Sequence, residues 1–134
     1  MKPFLQFLFS LLFSSLAFDA LAAPPPSNDD PCNATPLTVG ATCNYVQYTN
    51  DQATATAGVP APGCASYSGG DVWFSVVVPA SGSILIDTDD GVLTDGGMAL
   101  YTGPNCSTLS LLTCDDDGSA NGLMPSITQT GLTP

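Results

Sequence analysis

Residues 87–121 read DTDDGVLTDGGMALYTGPNCSTLSLLTCDDDGSAN, and the reading of the fold starts here. Seven aspartates fall in this stretch: Asp87, Asp89, Asp90, Asp95, Asp115, Asp116 and Asp117. Two short apolar segments of alternating type, 98–101 and 109–113, lie between the acidic runs. Alternation with a period of two predicts strands rather than helices. Two neighbouring strands would bring the carboxylates of their flanking loops together at one end of a sheet. Like charges about 4 Å apart repel by roughly 1 kcal/mol in water and about 4 kcal/mol at an effective dielectric near 20. The chain offers almost nothing to offset this, because its one basic residue is Lys2. Either the carboxylates splay into water as a solvated acidic face, or an external cation gathers them. Hard oxygen donors in flexible loops suit calcium. The expected ligands are Asp95, Asp115, Asp116 and Asp117, with Asp89 and Asp90 nearby.

Working outward, strand signals continue on both sides. Residues 71–78 (DVWFSVVV) are the strongest strand candidate, with Val72, Phe74, Val76 and Val78 on one face. Pro79-Ala80-Ser81-Gly82 reads as a turn, Pro fixing φ and Gly permitting φ > 0. Residues 83–88 follow with Ile84 and Ile86 alternating against Leu85, which predicts a hairpin with 71–78. A short edge strand is expected at 37–39, β-rich chain at 43–49, and a last weak strand at 126–130. The 50–70 stretch is rich in Ala, Thr, Gly, Pro and Ser and reads as a long surface connection tied down by Cys64. Turn signals recur about every 8–12 residues and no window has a helical period. The expected fold is therefore all-β: an antiparallel β-sandwich, jelly-roll-like. A chain ending on the turn at 131–134 leaves an unpaired edge, so the sandwich is expected to be incomplete at its C-terminus.

The N-terminal end reads as a targeting segment. Lys2 precedes a broken apolar run, and Ala20-Leu21-Ala22 fits the small-x-small cleavage rule. Residues 1–22 are assigned as a signal peptide, 23–31 as a Pro-rich linker and 32–134 as the β-module. The expected destination is secreted, either extracellular or on a bacterial cell surface. A formal net charge of −11 disfavours nucleic acid and anionic membranes as partners. No later stretch reads as a membrane span. Five cysteines behind such a leader predict a disulfide framework. Cys106 and Cys114 flank one strand and are expected to pair. The pairing of Cys32, Cys43 and Cys64 stays open, Cys32–Cys43 being one option. The odd thiol is expected to find its partner in a sixth cysteine beyond this chain.

Catalytic chemistry has little to stand on in this composition. There is no His to act as base for Ser or Cys, and no basic residue outside the leader to hold an oxyanion. Paired aspartates are the one motif that a secreted hydrolase would share. Trp73, Tyr45, Tyr48, Tyr67 and Tyr101 would suit a carbohydrate-binding platform, against core and rim packing as the plainer role. Asp115, Asp117, Ser119 and Asn121 place oxygen side chains at alternate positions, as calcium loops do. They are not an EF-hand, since Ala120 and Ser126 stand where its Gly and acidic residue belong. Asn33-Ala34-Thr35 and Asn105-Cys106-Ser107 match the glycosylation pattern, which matters only in a eukaryotic secretory host.

Two runs carry a family resemblance: GGDVWFSVVVPASGSILIDT at 69–88 and DGGMALYTGPNCSTLSLLTCDDDGSANGLMPSIT at 95–128. Together they resemble the bacterial pre-peptidase C-terminal domain, a β-sandwich module repeated in large secreted and cell-surface proteins. The resemblance implies a jelly-roll-like sandwich, no catalytic residues and, often, calcium bound by loop acids. Asp95 and Asp115, Asp116 and Asp117 match the family's acidic positions; Asp89 and Asp90 match less closely. The family pattern runs on past Pro134 with a further strand, so the chain is expected to stop short of the last strand or strands. The implied function is a non-catalytic, calcium-stabilised accessory module of a larger protein, serving spacing, attachment or substrate presentation. Its implied partners are downstream domains of the same polypeptide, with extracellular glycans or surface proteins beyond them.

Overall fold

The structure is a computed structural model and describes residues 22–134. The leader expected at 1–22 lies outside the described residues but for Ala22. Described residues form a 3-10 turn at Pro31–Asn33 and six strands: β1 (Thr35–Leu37), β2 (Phe74–Val76), β3 (Ile84–Asp87), β4 (Met98–Asn105), β5 (Thr108–Asp115) and β6 (Ser126–Gln129). The strands make three two-stranded pairs, β1–β2, β3–β6 and β4–β5. The chain is all-β, and β3–β6 and β4–β5 are antiparallel. The pair β1–β2 is parallel, which the sequence did not announce. Among the described residues no helix is long and apolar enough to cross a membrane.

The hairpin β4–β5 is where it was expected, and longer. Its register runs from Met98↔Asp115 to Asn105↔Thr108, with Cys106 and Ser107 at the turn. Tyr101 pairs with Leu111 while Leu100 pairs with Thr113, so Leu112 is the extra residue of a β-bulge and is exposed. A compensating shift falls at Gly103-Pro104 on the opposite strand. There β4 passes so close to β5 that a Cβ on Gly103 would collide with the carbonyl oxygen of Thr108.

The predicted hairpin between 71–78 and 83–88 does not form. Its turn does: Gly82 N donates to the Pro79 carbonyl at 2.8 Å, with Gly82 at φ +65°. That turn, however, passes the chain from one pair to another. β3 takes β6 as its neighbour, in the register Ile86↔Ile127. The C-terminal segment then seals the turn itself: Leu132 N donates to the Gly82 carbonyl at 3.0 Å. A Cβ on Gly82 would lie only 2.7 Å from the Leu132 carbonyl oxygen, so the close approach requires glycine. β2 pairs instead with β1, whose Pro36 cannot donate to a ladder and therefore suits an edge strand.

The alternation at 84–86 is realised as read. Ile84 is buried at 5% exposure and Leu85 faces solvent. Directly opposed residues share a face, so Ile86 and Ile127 join Ile84 beneath the pair. Met124, from the loop before β6, completes the set of buried apolar side chains among the described residues. β6 also lies against the hairpin β4–β5, which links these two pairs around that small core.

Residues 43–49, expected to be β-rich, form no strand. Side chains rather than a backbone ladder hold this segment. Tyr45 donates its hydroxyl to Asp87 at 2.6 Å, and the Tyr48 ring meets Phe74 edge-on at 4.7 Å. The short edge strand is at Thr35–Leu37 instead of 37–39.

Candidate metal centre

The pairing Met98↔Asp115 fixes the geometry of the acidic loops. It sets the start of β4 beside the end of β5, so the loop before one strand and the loop after the other share one tip. Asp95 comes from the first loop; Asp116 and Asp117 come from the second. Gly96 N donates to the Leu123 carbonyl at 3.2 Å and ties the two loops together. One carboxylate oxygen from each of Asp95, Asp116 and Asp117 lies within 4.8 Å of the other two. Asp116 is half-buried, and Asp95 and Asp117 are exposed. Partial burial, then the charges of Asp117, Asp95 and Asp115, push the Asp116 carboxyl above its ordinary range.

Two of the other predicted ligands, Asp115 and Asp89, are elsewhere engaged. Asp115 Oδ2 accepts from Gly118 N at 2.8 Å and from Ser126 N at 2.9 Å, so this side chain shapes the loop and starts β6. Asp89 Oδ1 accepts from Asp90 N at 3.0 Å and from Asn121 Nδ2 at 3.5 Å. Neither Asp89 nor Asp90 belongs to the group of three. Of the alternate-oxygen pattern of 115–121, Asp117 joins the group of three, while Ser119 and Asn121 are spent inside their own loop. Asn121 Oδ1 accepts from Ser119 Oγ at 2.7 Å, Met124 N at 3.0 Å and Leu123 N at 3.1 Å.

The donor set fits a hard divalent cation. Calcium takes oxygen ligands at about 2.3–2.6 Å, so two oxygens on one ion stand no more than about 5 Å apart. The three carboxylates meet that limit, and an ion of this type takes six to eight oxygens, leaving room for backbone carbonyls and water.

A second carboxylate centre, which the sequence reading passed over, holds the 50–70 connection. Asp71 accepts from Thr56 Oγ1 at 2.6 Å, Trp73 Nε1 at 2.7 Å, Thr56 N at 3.2 Å and the Tyr67 hydroxyl. Partial burial pushes its carboxyl up, but the donors Thr56, Tyr67 and Trp73 outweigh that and hold it below the usual range. Asp29 repeats the device one step along, accepting from Thr54 N at 2.6 Å and Thr54 Oγ1 at 2.7 Å. The signal was the cluster of hydroxyl donors Thr54, Thr56 and Tyr67 between two aspartates.

The five aromatic residues considered for a sugar platform are all engaged within the chain. Trp73 and Tyr101 pack with centroids 5.3 Å apart, and Tyr101 donates to the Pro60 carbonyl at 2.7 Å. Tyr67 is committed to Asp71, Tyr45 to Asp87 and Tyr48 to Phe74.

The disulfide expectation needs correction. Cys32 bonds Cys106 and Cys64 bonds Cys114, while Cys43 is free and exposed. Strand rise explains why Cys106–Cys114 fails. Along β5, which starts at Thr108, Cys114 stands six rises from the turn end, about 20 Å at 3.4 Å per residue. A disulfide needs Cα atoms closer than about 7 Å. The observed pairs have Cα–Cα distances of 4.9 Å and 6.3 Å. Asp30 brings Cys32 into place by capping the 3-10 turn, its side chain accepting from Cys32 N at 2.7 Å.

No protein-family model, no curated protein and no solved structure matches the chain.

Proposed function

We propose that this protein is a non-catalytic, calcium-stabilised accessory β-module of a larger secreted or cell-surface protein, acting in spacing, attachment or presentation of a partner domain. The observation that carries the reading is the convergence of Asp95, Asp116 and Asp117 from two loops, their oxygens within 4.8 Å. No Lys, Arg or His stands anywhere beyond Lys2 to offset them. Two disulfides fit an oxidising compartment, and the resemblance of 69–88 and 95–128 to the pre-peptidase C-terminal domain points the same way.

A bound calcium would supply two positive charges and a shared coordination sphere at the tip. Asp95 would anchor the 91–97 loop to it, and Asp116 and Asp117 the loop after β5. Asp115 and Asn121 hold the second loop in shape from within, so the ligands arrive partly ordered. Affinity in the range of extracellular modules, about 10⁻⁴–10⁻³ M, is expected for a small, exposed donor set. At ten times the dissociation constant binding adds about 1.4 kcal/mol of stability, or several degrees in melting temperature.

Calorimetric melting in calcium and in chelator tests this. Calcium should raise the melting temperature. Asp116→Asn should melt higher than the parent in chelator, because repulsion is relieved, and should respond less to calcium. Equal melting temperatures of the parent in the two buffers would overturn the reading.

A further inference from the structure

The same end of the molecule carries an exposed apolar patch that the cation site does not use. Gly91 N donates to the Leu93 carbonyl at 3.0 Å, which closes a tight turn and leaves Val92 at its apex. Val92 is 95% exposed, Leu93 47% and Leu123 50%. Gly96 stands between the Leu93 side chain and the Leu123 backbone. The Leu93 Cδ2 atom would lie 3.0 Å from a Cβ on that glycine, and Leu123 accepts from its backbone N–H. Three aliphatic side chains are thus held outward on tied loops, at a cost in hydration that folding does not recover. Exposed Asp89 and Asp90 precede this turn in the same loop, and Asp95 follows it.

We propose that this tip is a docking surface for a basic protein segment that sets an apolar side chain between Lys or Arg residues. Charge decides the occupant. An apolar patch alone would accept another copy of the chain, a lipid surface or a peptide. A second copy brings the same net charge of −11, and an anionic membrane brings its own negative potential; both are repelled. A cationic segment is steered in by the aspartates and held by burial of Val92, Leu93 and Leu123. Asp89 and Asp90 lie outside the group of three carboxylates, so their charges stay available to a cationic segment in chelator, where the Gly96–Leu123 bond still ties the loops.

The test uses labelled synthetic peptides in chelator and reads fluorescence anisotropy. One peptide alternates Lys and Leu, one Lys and Ser, and one Glu and Leu. The Lys/Leu peptide should bind more tightly than either control. Val92→Ser and Leu123→Ser should each weaken it about tenfold, the scale of one aliphatic side chain left in water. Val77→Ser removes an apolar side chain that is 84% exposed but lies just past β2, and should leave binding unchanged. Equal binding of the Lys/Ser and Lys/Leu peptides would overturn the proposal by showing attraction to net charge alone. Tip variants that bind like the parent would overturn it too. So would binding to phosphatidylserine vesicles in place of the Lys/Leu peptide. Loss of calcium-dependent melting would leave all of these outcomes readable, since no calcium is present.

Discussion

Ionised, Asp71 accepts from Thr56, Tyr67 and Trp73 through both of its oxygens, so its charge strengthens the hold of the 50–70 connection on the chain entering β2. Its folded pKa lies below the ordinary value of 3.8, so the unfolded chain takes up protons first. The stability it contributes is present above the ordinary carboxylate range and is lost as pH falls through the folded pKa. Tyr67 works at the other end of the scale. Burial, then the bond to Asp71, push its hydroxyl from 10.0 up to about 12. Its contribution is complete below pH 10 and is lost as pH rises towards 12. Asp71→Asn should cost about 2 kcal/mol at neutral pH, a partly open site trimming the value for a charged acceptor. It should also flatten the acid limb of stability. Tyr67→Phe should cost about 1 kcal/mol and flatten the alkaline limb. Urea denaturation across pH checks both, and a loss independent of pH would show that Asp71 acts by shape alone. Little of this centre was legible. An aspartate two residues before a tryptophan looks like any solvated strand start, and its donors come from a stretch without periodicity.

At the scale of elements, the two disulfides divide the work. Cys32–Cys106 fastens the N-terminal turn to the tip of the β4–β5 hairpin, and Cys64–Cys114 fastens the long connection to the other end of β5. Their sequence separations of 74 and 50 make each closed loop worth roughly 4 kcal/mol on the chain-entropy model. The double variant Cys64→Ser with Cys114→Ser should lose a large part of that in thermal melting. Peptide mapping without reductant should recover the pairs 32–106 and 64–114. A 106–114 fragment would contradict the arrangement. The hairpin was legible because two alternating segments, 98–101 and 109–113, stand a few residues apart. The bridges were not, because sequence proximity is a poor guide once a strand stretches its ends apart. The β2–β3 hairpin misled for a related reason. Pro79 to Gly82 does specify a turn, but a turn sets local direction and says nothing about which strand lies alongside.

For the whole molecule, the buried apolar side chains among the described residues are Ile84, Met124 and Ile127. A core this small leaves little reserve. Ile127→Ala should cost about 2–5 kcal/mol and lower the melting temperature more than any surface change, whereas Val77→Ala should stay within about 0.5 kcal/mol. Equal melting of the two variants would place the core elsewhere. That the chain is all-β was legible from alternation and turn spacing. The partnering of β3 with β6 and the parallel β1–β2 pair were not, since neither leaves a local signature. The division into three pairs has a consequence for colloidal behaviour. Each of the six strands among the described residues has one side without a ladder partner, and such edges invite other chains to add on. Electrostatic repulsion between copies, each at −11, opposes such addition. As pH falls towards the sequence pI of about 4.1 that repulsion fades, and solubility should fall before the fold itself gives way.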